Sequence, residues 1–108
     1  MVQVNLEYNK EVDVLSARNK GQKIKYSKRL GNIVLDFDFN DKVIGCEILN
    51  ASEVLGGLDV PLEMILSVES ATIRNIVAPN SQMVAIIFPL KKPITYLVSI
   101  EEEKPITV

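Results

Sequence analysis

The stretch from Ile33 to Ser52, I-V-L-D-F-D-F-N-D-K-V-I-G-C-E-I-L-N-A-S, decides how the chain is read. Ile33, Leu35, Phe37 and Phe39 alternate with Val34, Asp36, Asp38 and Asn40, the two-residue repeat of a strand with one buried face. A return strand follows. With Asn40-Asp41 as a two-residue turn, Phe39 faces Lys42, Phe37 faces Ile44, Leu35 faces Cys46 and Ile33 faces Ile48, so the apolar positions of both strands share one face. A one-residue slip would destroy that match. Such a turn asks for positive φ at both central residues, which Asn40 accepts more readily than Asp41.

Working outward, Val2, Val4, Leu6 and Tyr8 alternate with Gln3, Asn5 and Glu7 as a first strand, and Asn9-Lys10-Glu11 reads as a turn. A second strand spans Val12 to Arg18; a three-residue loop sets Leu6 opposite Val14, a four-residue loop opposite Leu15. Ile24 and Tyr26 mark a third strand, and Leu30-Gly31-Asn32 turns into the hairpin, giving a meander of five short strands. Beyond Ser52 the period changes. Ser52 caps a short turn ended by Gly56-Gly57, and Pro61 opens a short helix to about Ser67 with Leu62, Ile65 and Leu66 on one face. Three more strands are expected near Ala71 to Val77, Gln82 to Phe88 and Ile94 to Glu101. Val84 to Phe88 is apolar on both faces and reads as a central strand covered on both sides. The predicted fold is mainly β: antiparallel hairpins, about eight short strands, in a roll or two-layer arrangement with one helix near residues 61–67, all in a single domain.

Composition narrows the chemistry. The chain has no histidine, so neither a Ser-His-Asp nor a Cys-His nucleophile pair nor an imidazole metal ligand is available. Five glycines form no phosphate-binding loop, and one cysteine makes no internal disulfide or zinc site. Cys46, on the hairpin's apolar face, reads as an inert buried thiol. The reading leans away from an enzyme and towards a cytoplasmic protein without a membrane span, since the longest apolar run, Met83 to Leu90, contains Pro89. Lys-Pro-Ile-Thr occurs at Lys92 to Thr95 and again at Lys104 to Thr107; it is read as a chance repeat in preference to a tail that pairs with a neighbour's sheet edge.

The block D-F-D-F-N-D-K-V-I-G-C-E-I-L-N-A-S resembles the pattern D-x-D-x-x-G-x-x-x-G-I-E-I-L-x-A-S of the domain-of-unknown-function 2283 family. Upstream, Y-N-K-E-V-D-V-L resembles that family's Y-D-x-E-x-D-x-L. The resemblance covers about Val4 to Ser52, with Asn9 for Asp, Ser16 for an aromatic, Asp41 for Gly and Cys46 for Ile. It implies a fold and no established activity, and, through small toxin-like neighbours, an antitoxin-like partner role.

Two candidate sites stand out. Asp36, Asp38 and Glu47 fall on one face of the hairpin with Gly45 opposite Asp36; as a metal site these oxygens would suit Mg²⁺ or Ca²⁺, and otherwise they are solvated acids on an outer sheet face. Arg18, Lys20, Lys23, Lys25, Lys28 and Arg29 place six cations in twelve residues of a chain whose net charge is −2. They are read as a solvated, edge-protecting segment and, alternatively, as a surface for nucleic acid or an acidic partner. The expected role is a small protein-interaction or self-assembly module, working as a homo-oligomer or with a small protein partner.

Overall fold

The computed structural model describes residues 1–58 and 61–100. Among them, eight antiparallel strands form one curled, half-barrel sheet: β1 (Val2–Asn9), β2 (Val14–Arg18), β3 (Tyr26–Leu30), β4 (Ile33–Phe37), β5 (Val43–Leu49), β6 (Ser70–Ala78), β7 (Ser81–Phe88) and β8 (Ile94–Ile100). Two short helices, α1 (Ala51–Gly56) and α2 (Leu62–Leu66), connect β5 to β6. The order across the sheet is β3-β4-β5-β2-β1-β6-β7-β8.

That order corrects the five-strand meander. β5 returns to pair with β2 rather than ending the row, so β3 is pushed to the edge and β1 is left to pair with β6. The reason is burial: with β5 beside β2, Leu15 meets Ile48 and Ala17 meets Cys46, all four buried. β1 then brings Val4 opposite Ala71. These residues join Ile33, Leu35, Ile73, Val84, Ile86 and Phe88 in one core, to which α1 adds Ala51 and Leu55 and α2 adds Ile65. Each such aliphatic side chain contributes about 1.5–3 kcal/mol when withdrawn from water.

The central hairpin keeps its expected register only at its base, where Ile33 pairs with Ile48, Leu35 with Cys46 and Asp36 with Gly45. Beyond that the register shifts and Phe37 pairs with Val43, leaving Ile44 as the extra residue of a bulge. The turn is therefore not Asn40-Asp41 alone. The Asp41 N–H donates to the Asp38 carbonyl at 3.1 Å, the Asp38 N–H donates to the Lys42 carbonyl at 2.9 Å, and Asp41 has φ of 58°. A three-residue loop needs positive φ once, whereas the two-residue turn needs it twice. Phe39 consequently sits in the loop, 66% exposed, and not on the core face.

The first hairpin follows neither expected register: Leu6 pairs with Ala17, Tyr8 with Leu15 and Asn9 with Val14. Val12 and Asp13 belong to the loop, with Asp13 at φ 54°. The short helix after Pro61 is present, and the turn expected to be capped by Ser52 is a helix of its own that starts at Ala51, with Asn50 at the cap position and Ser52 in its first turn. β7 lies between β6 and β8, as a central strand should, but its outer face is only partly covered: Ala85 is buried and Ile87 half-buried, while Leu97, across from Ala85, is 55% exposed. The first Lys-Pro-Ile-Thr leads into β8 at Ile94; the second lies outside the described residues, as does Glu101. No helix among the described residues is long and apolar enough to cross a membrane.

Candidate functional site

Strand pairing fixes the neighbours of the candidate acids. Asp36 on β4 faces Gly45 on β5, and Glu47, two residues on, points to the same side as Asp36 and away from the buried Leu35, Cys46 and Ala17. β2 then carries Arg18 alongside. Its Nη2 lies 3.0 Å from Asp36 Oδ2 and 2.9 Å from Glu47 Oε1, so one guanidinium spans both carboxylates. Ser27 on β3 donates its hydroxyl to Asp36 Oδ1 at 2.7 Å. Asp36 is only 2% exposed, and this cation and hydroxyl are what allow a carboxylate to be buried there.

There is no spare volume at the centre of this group. A Cβ added to Gly45 would stand 3.0 Å from Asp36 Oδ2, 3.1 Å from Arg18 Cβ and 3.2 Å from the Ala17 carbonyl. The glycine thus serves close packing of the Arg18 stem over the sheet. The third acid named from the sequence is elsewhere in function: Asp38 Oδ1 accepts the Asn40 and Lys42 N–H groups at 2.8 and 3.0 Å and closes the hairpin loop. Asp36 and Glu47 are brought together, and Asp38 is not. Among the described residues no group of three His, Cys, Asp or Glu side chains is placed to hold a metal ion. What the arrangement can do is fasten β2, β3, β4 and β5 to one another.

In the sequence Arg18 groups with the cations that follow it, and its place with the acids appears only once β2 lies beside β5. A second cluster has the same character. Asp13 accepts the hydroxyl of Tyr8 at 2.6 Å, the hydroxyl of Ser52 at 2.6 Å and the Ser52 N–H at 3.0 Å, while its carbonyl accepts the Ala51 N–H at 2.9 Å. Asn50, at the N-cap position of α1, makes no side-chain cap, so Asp13 satisfies the helix start from the β1–β2 loop. Those bonds, Ser52 first and Tyr8 second, hold the Asp13 carboxyl below its ordinary value, and the bond to Asp13 raises the Tyr8 hydroxyl.

The remaining cations run from the β2–β3 connection onto β3. Lys20 and Lys23 are exposed between β2 and β3, Lys25 immediately precedes β3, and Lys28 and Arg29 lie on it. Lys25 Nζ is 3.9 Å from Asp41 Oδ1, and Arg29 Nε donates to the Gly31 carbonyl at 3.0 Å. Tyr26 stacks on Phe37 with ring centroids 4.7 Å apart and planes 10° apart. Its hydroxyl is raised by burial and by Asp41. Cys46 stays out of any site: burial, followed by the nearby Asp36 charge, pushes its thiol up to about 12.

Residues 5–52 match a family described as protein of unknown function (DUF2283). An uncharacterized protein, MJ0789, of Methanocaldococcus jannaschii is 42% identical over 53 residues, which cover 49% of this chain and 46% of that protein. The chain therefore matches about half the length of that curated relative. No solved structure matches it. The matched region holds Tyr8, Asp13, Arg18, Asp36, Gly45, Glu47 and Ser52, and every one of them sits at a contact between strands or between the first loop and β1 or α1.

Proposed function

We propose that this chain is a non-enzymatic protein-interaction module that binds through the open edge of its sheet at β3. The observation that carries this reading is the position of β3: among the described residues it pairs with β4 on one side and with no strand on the other, and it lies at the end of the cation-rich segment that runs from Arg18 to Arg29. An unpaired edge offers main-chain donors and acceptors to an incoming strand. The buried Asp36 and half-buried Glu47 nearby are engaged by Arg18 in holding the sheet together, so the binding groups are those on the rim. Pairing with a small protein in an antitoxin-like manner is one form this role takes.

Affinity purification of the tagged chain from its own cells at low salt, with and without nuclease, tests the reading when combined with light scattering and mass spectrometry of the eluate. A stoichiometric protein that survives nuclease is the expected result. Recovery of the chain alone as a monomer, or with nucleic acid only, would overturn it.

A further inference from the structure

We propose that the β3 edge takes an extended, acidic segment of another protein as a ninth strand; this rests on the interaction reading above and names the chemistry of the partner. The main chain supplies the first part of the argument. β3 and β4 are joined by the two residues Gly31 and Asn32, with Gly31 at φ 61°, and Leu30 pairs with Ile33 across that turn. In a two-residue hairpin the flanking pair is the hydrogen-bonded one, and hydrogen-bonded pairs alternate along the ladder. Leu30, Lys28 and Tyr26 therefore turn their peptide groups towards β4, and Ser27 and Arg29 turn theirs to the open side.

Side chains supply the second part. Tyr26, Lys28 and Leu30 lie on the face of Phe37, Leu35 and Ile33, while Ser27 and Arg29 lie on the face of Asp36 and Val34. A strand laid against β3 thus meets the Arg29 cation beside the open peptide groups, with Lys25 immediately ahead of the strand. Such an edge repels strands of ordinary composition and favours carboxylates. Among the described residues the acids near it are engaged: Asp36 with Arg18 and Ser27, and Asp41 at the far end against Lys25 and Tyr26.

The opposite edge differs in kind. β8, I-T-Y-L-V-S-I, carries no charge at all. A second copy offering β3 would bring like charges, and one offering β8 would bring no acid, which favours another protein as the occupant. Glu101 to Glu103 of a second copy are the competing acidic segment within this chain.

The test uses a fluorescein-labelled synthetic peptide, E-E-V-E-E-V-E, its lysine counterpart K-K-V-K-K-V-K, and amide hydrogen exchange of the full chain read by NMR. The glutamate peptide is expected to bind at low salt, to weaken as salt rises, and to slow exchange at Ser27 and Arg29. The lysine peptide, and the glutamate peptide on the Lys25→Glu/Arg29→Glu variant, are expected to bind at least about tenfold more weakly. The peptide comparison needs no variant, so it stands if the variant fails to fold. Equal binding of both peptides, or binding that leaves Ser27 and Arg29 exchanging freely, would overturn the proposal. So would preferential binding of a labelled oligothymidine, which assigns the cations to nucleic acid. Protection of Ser27 and Arg29 that grows with protein concentration alone, and vanishes when residues 101–108 are deleted, would make a second copy the occupant and also overturn it. Should the peptide fail while the purification above yields a protein partner, the edge assignment falls and the interaction reading survives.

Discussion

The side-chain amide of Asn75 on β6 makes both hydrogen bonds of a ladder rung with the main chain of Val43 on β5: its Oδ1 accepts the Val43 N–H at 2.9 Å and its Nδ2 donates to the Val43 carbonyl at 2.9 Å. β5 and β6 are separated in the sheet by β2 and β1. Here those two intervening strands stop pairing, since their mutual register ends at Asn5 and Arg18. The amide acts as a one-residue strand that joins the sheet across the gap. Asn75→Ala removes both bonds and leaves Val43 with unsatisfied, part-buried polar groups; at about 1 kcal/mol per hydrogen bond, the expected loss is about 2 kcal/mol in urea unfolding.

Gly45 is held to glycine by space and not by backbone angle. Gly45→Ala forces its methyl group against Asp36, Arg18 and the Ala17 main chain, and the expected cost is about 1–3 kcal/mol, within the range for overpacking. Arg18 can give way only by loosening its hold on Asp36. A midpoint equal to that of the parent chain in urea would show that the close approach is not fixed.

Asp41 occupies a left-handed conformation, φ 58°, that glycine adopts without strain. Asp41→Gly is expected to raise stability by roughly 0.5–1 kcal/mol, because the exposed contacts it gives up to Lys25 and Tyr26 are weak. The urea midpoint checks this directly.

The Asp13 carboxyl is held below its ordinary value by hydrogen bonds from Ser52 and Tyr8. A carboxyl depressed in the folded state contributes stability that is fully present above its unfolded pKa, near 3.9, and that is lost as pH falls through the folded value. Asp13→Asn should therefore lower the melting temperature at neutral pH and flatten the acid side of the stability profile. An unchanged difference between variant and parent down to strongly acid pH would refute the coupling.

Cys46 is fully buried with its thiol raised to about 12. At pH 8 the native chain should react with an aromatic disulfide reagent only as fast as it unfolds, and at once in denaturant. Absorbance at the released thiolate follows both rates.

The region resembling the 2283 family shows why its motifs were visible without revealing a site. Tyr8, Asp13 and Ser52, distant in the chain, meet where the first loop starts α1; Asp36, Gly45 and Glu47 meet around Arg18. Their residue types are demanded by contacts between elements, so the pattern encodes how the strands assemble. The expected acidic constellation was half visible: alternation put Asp36 and Glu47 on one side, but the bulge at Ile44 and the three-residue loop gave Asp38 to the turn.

The sequence by itself determined which segments become strands, that Ile33, Leu35, Cys46 and Ile48 share a buried face, and that histidine-based and disulfide chemistry are excluded. Those features depend on side-chain period and on residue types, which are local. Only the tertiary structure decided that β5 returns to β2, that β3 becomes a basic edge, that Arg18 turns from its neighbouring lysines to two carboxylates, and that Asn75 joins β5 to β6. Each of these is a pairing between segments far apart in the chain. Several pairings preserve the same alternation, and the one adopted is selected by how much apolar surface the whole sheet and its two helices bury together.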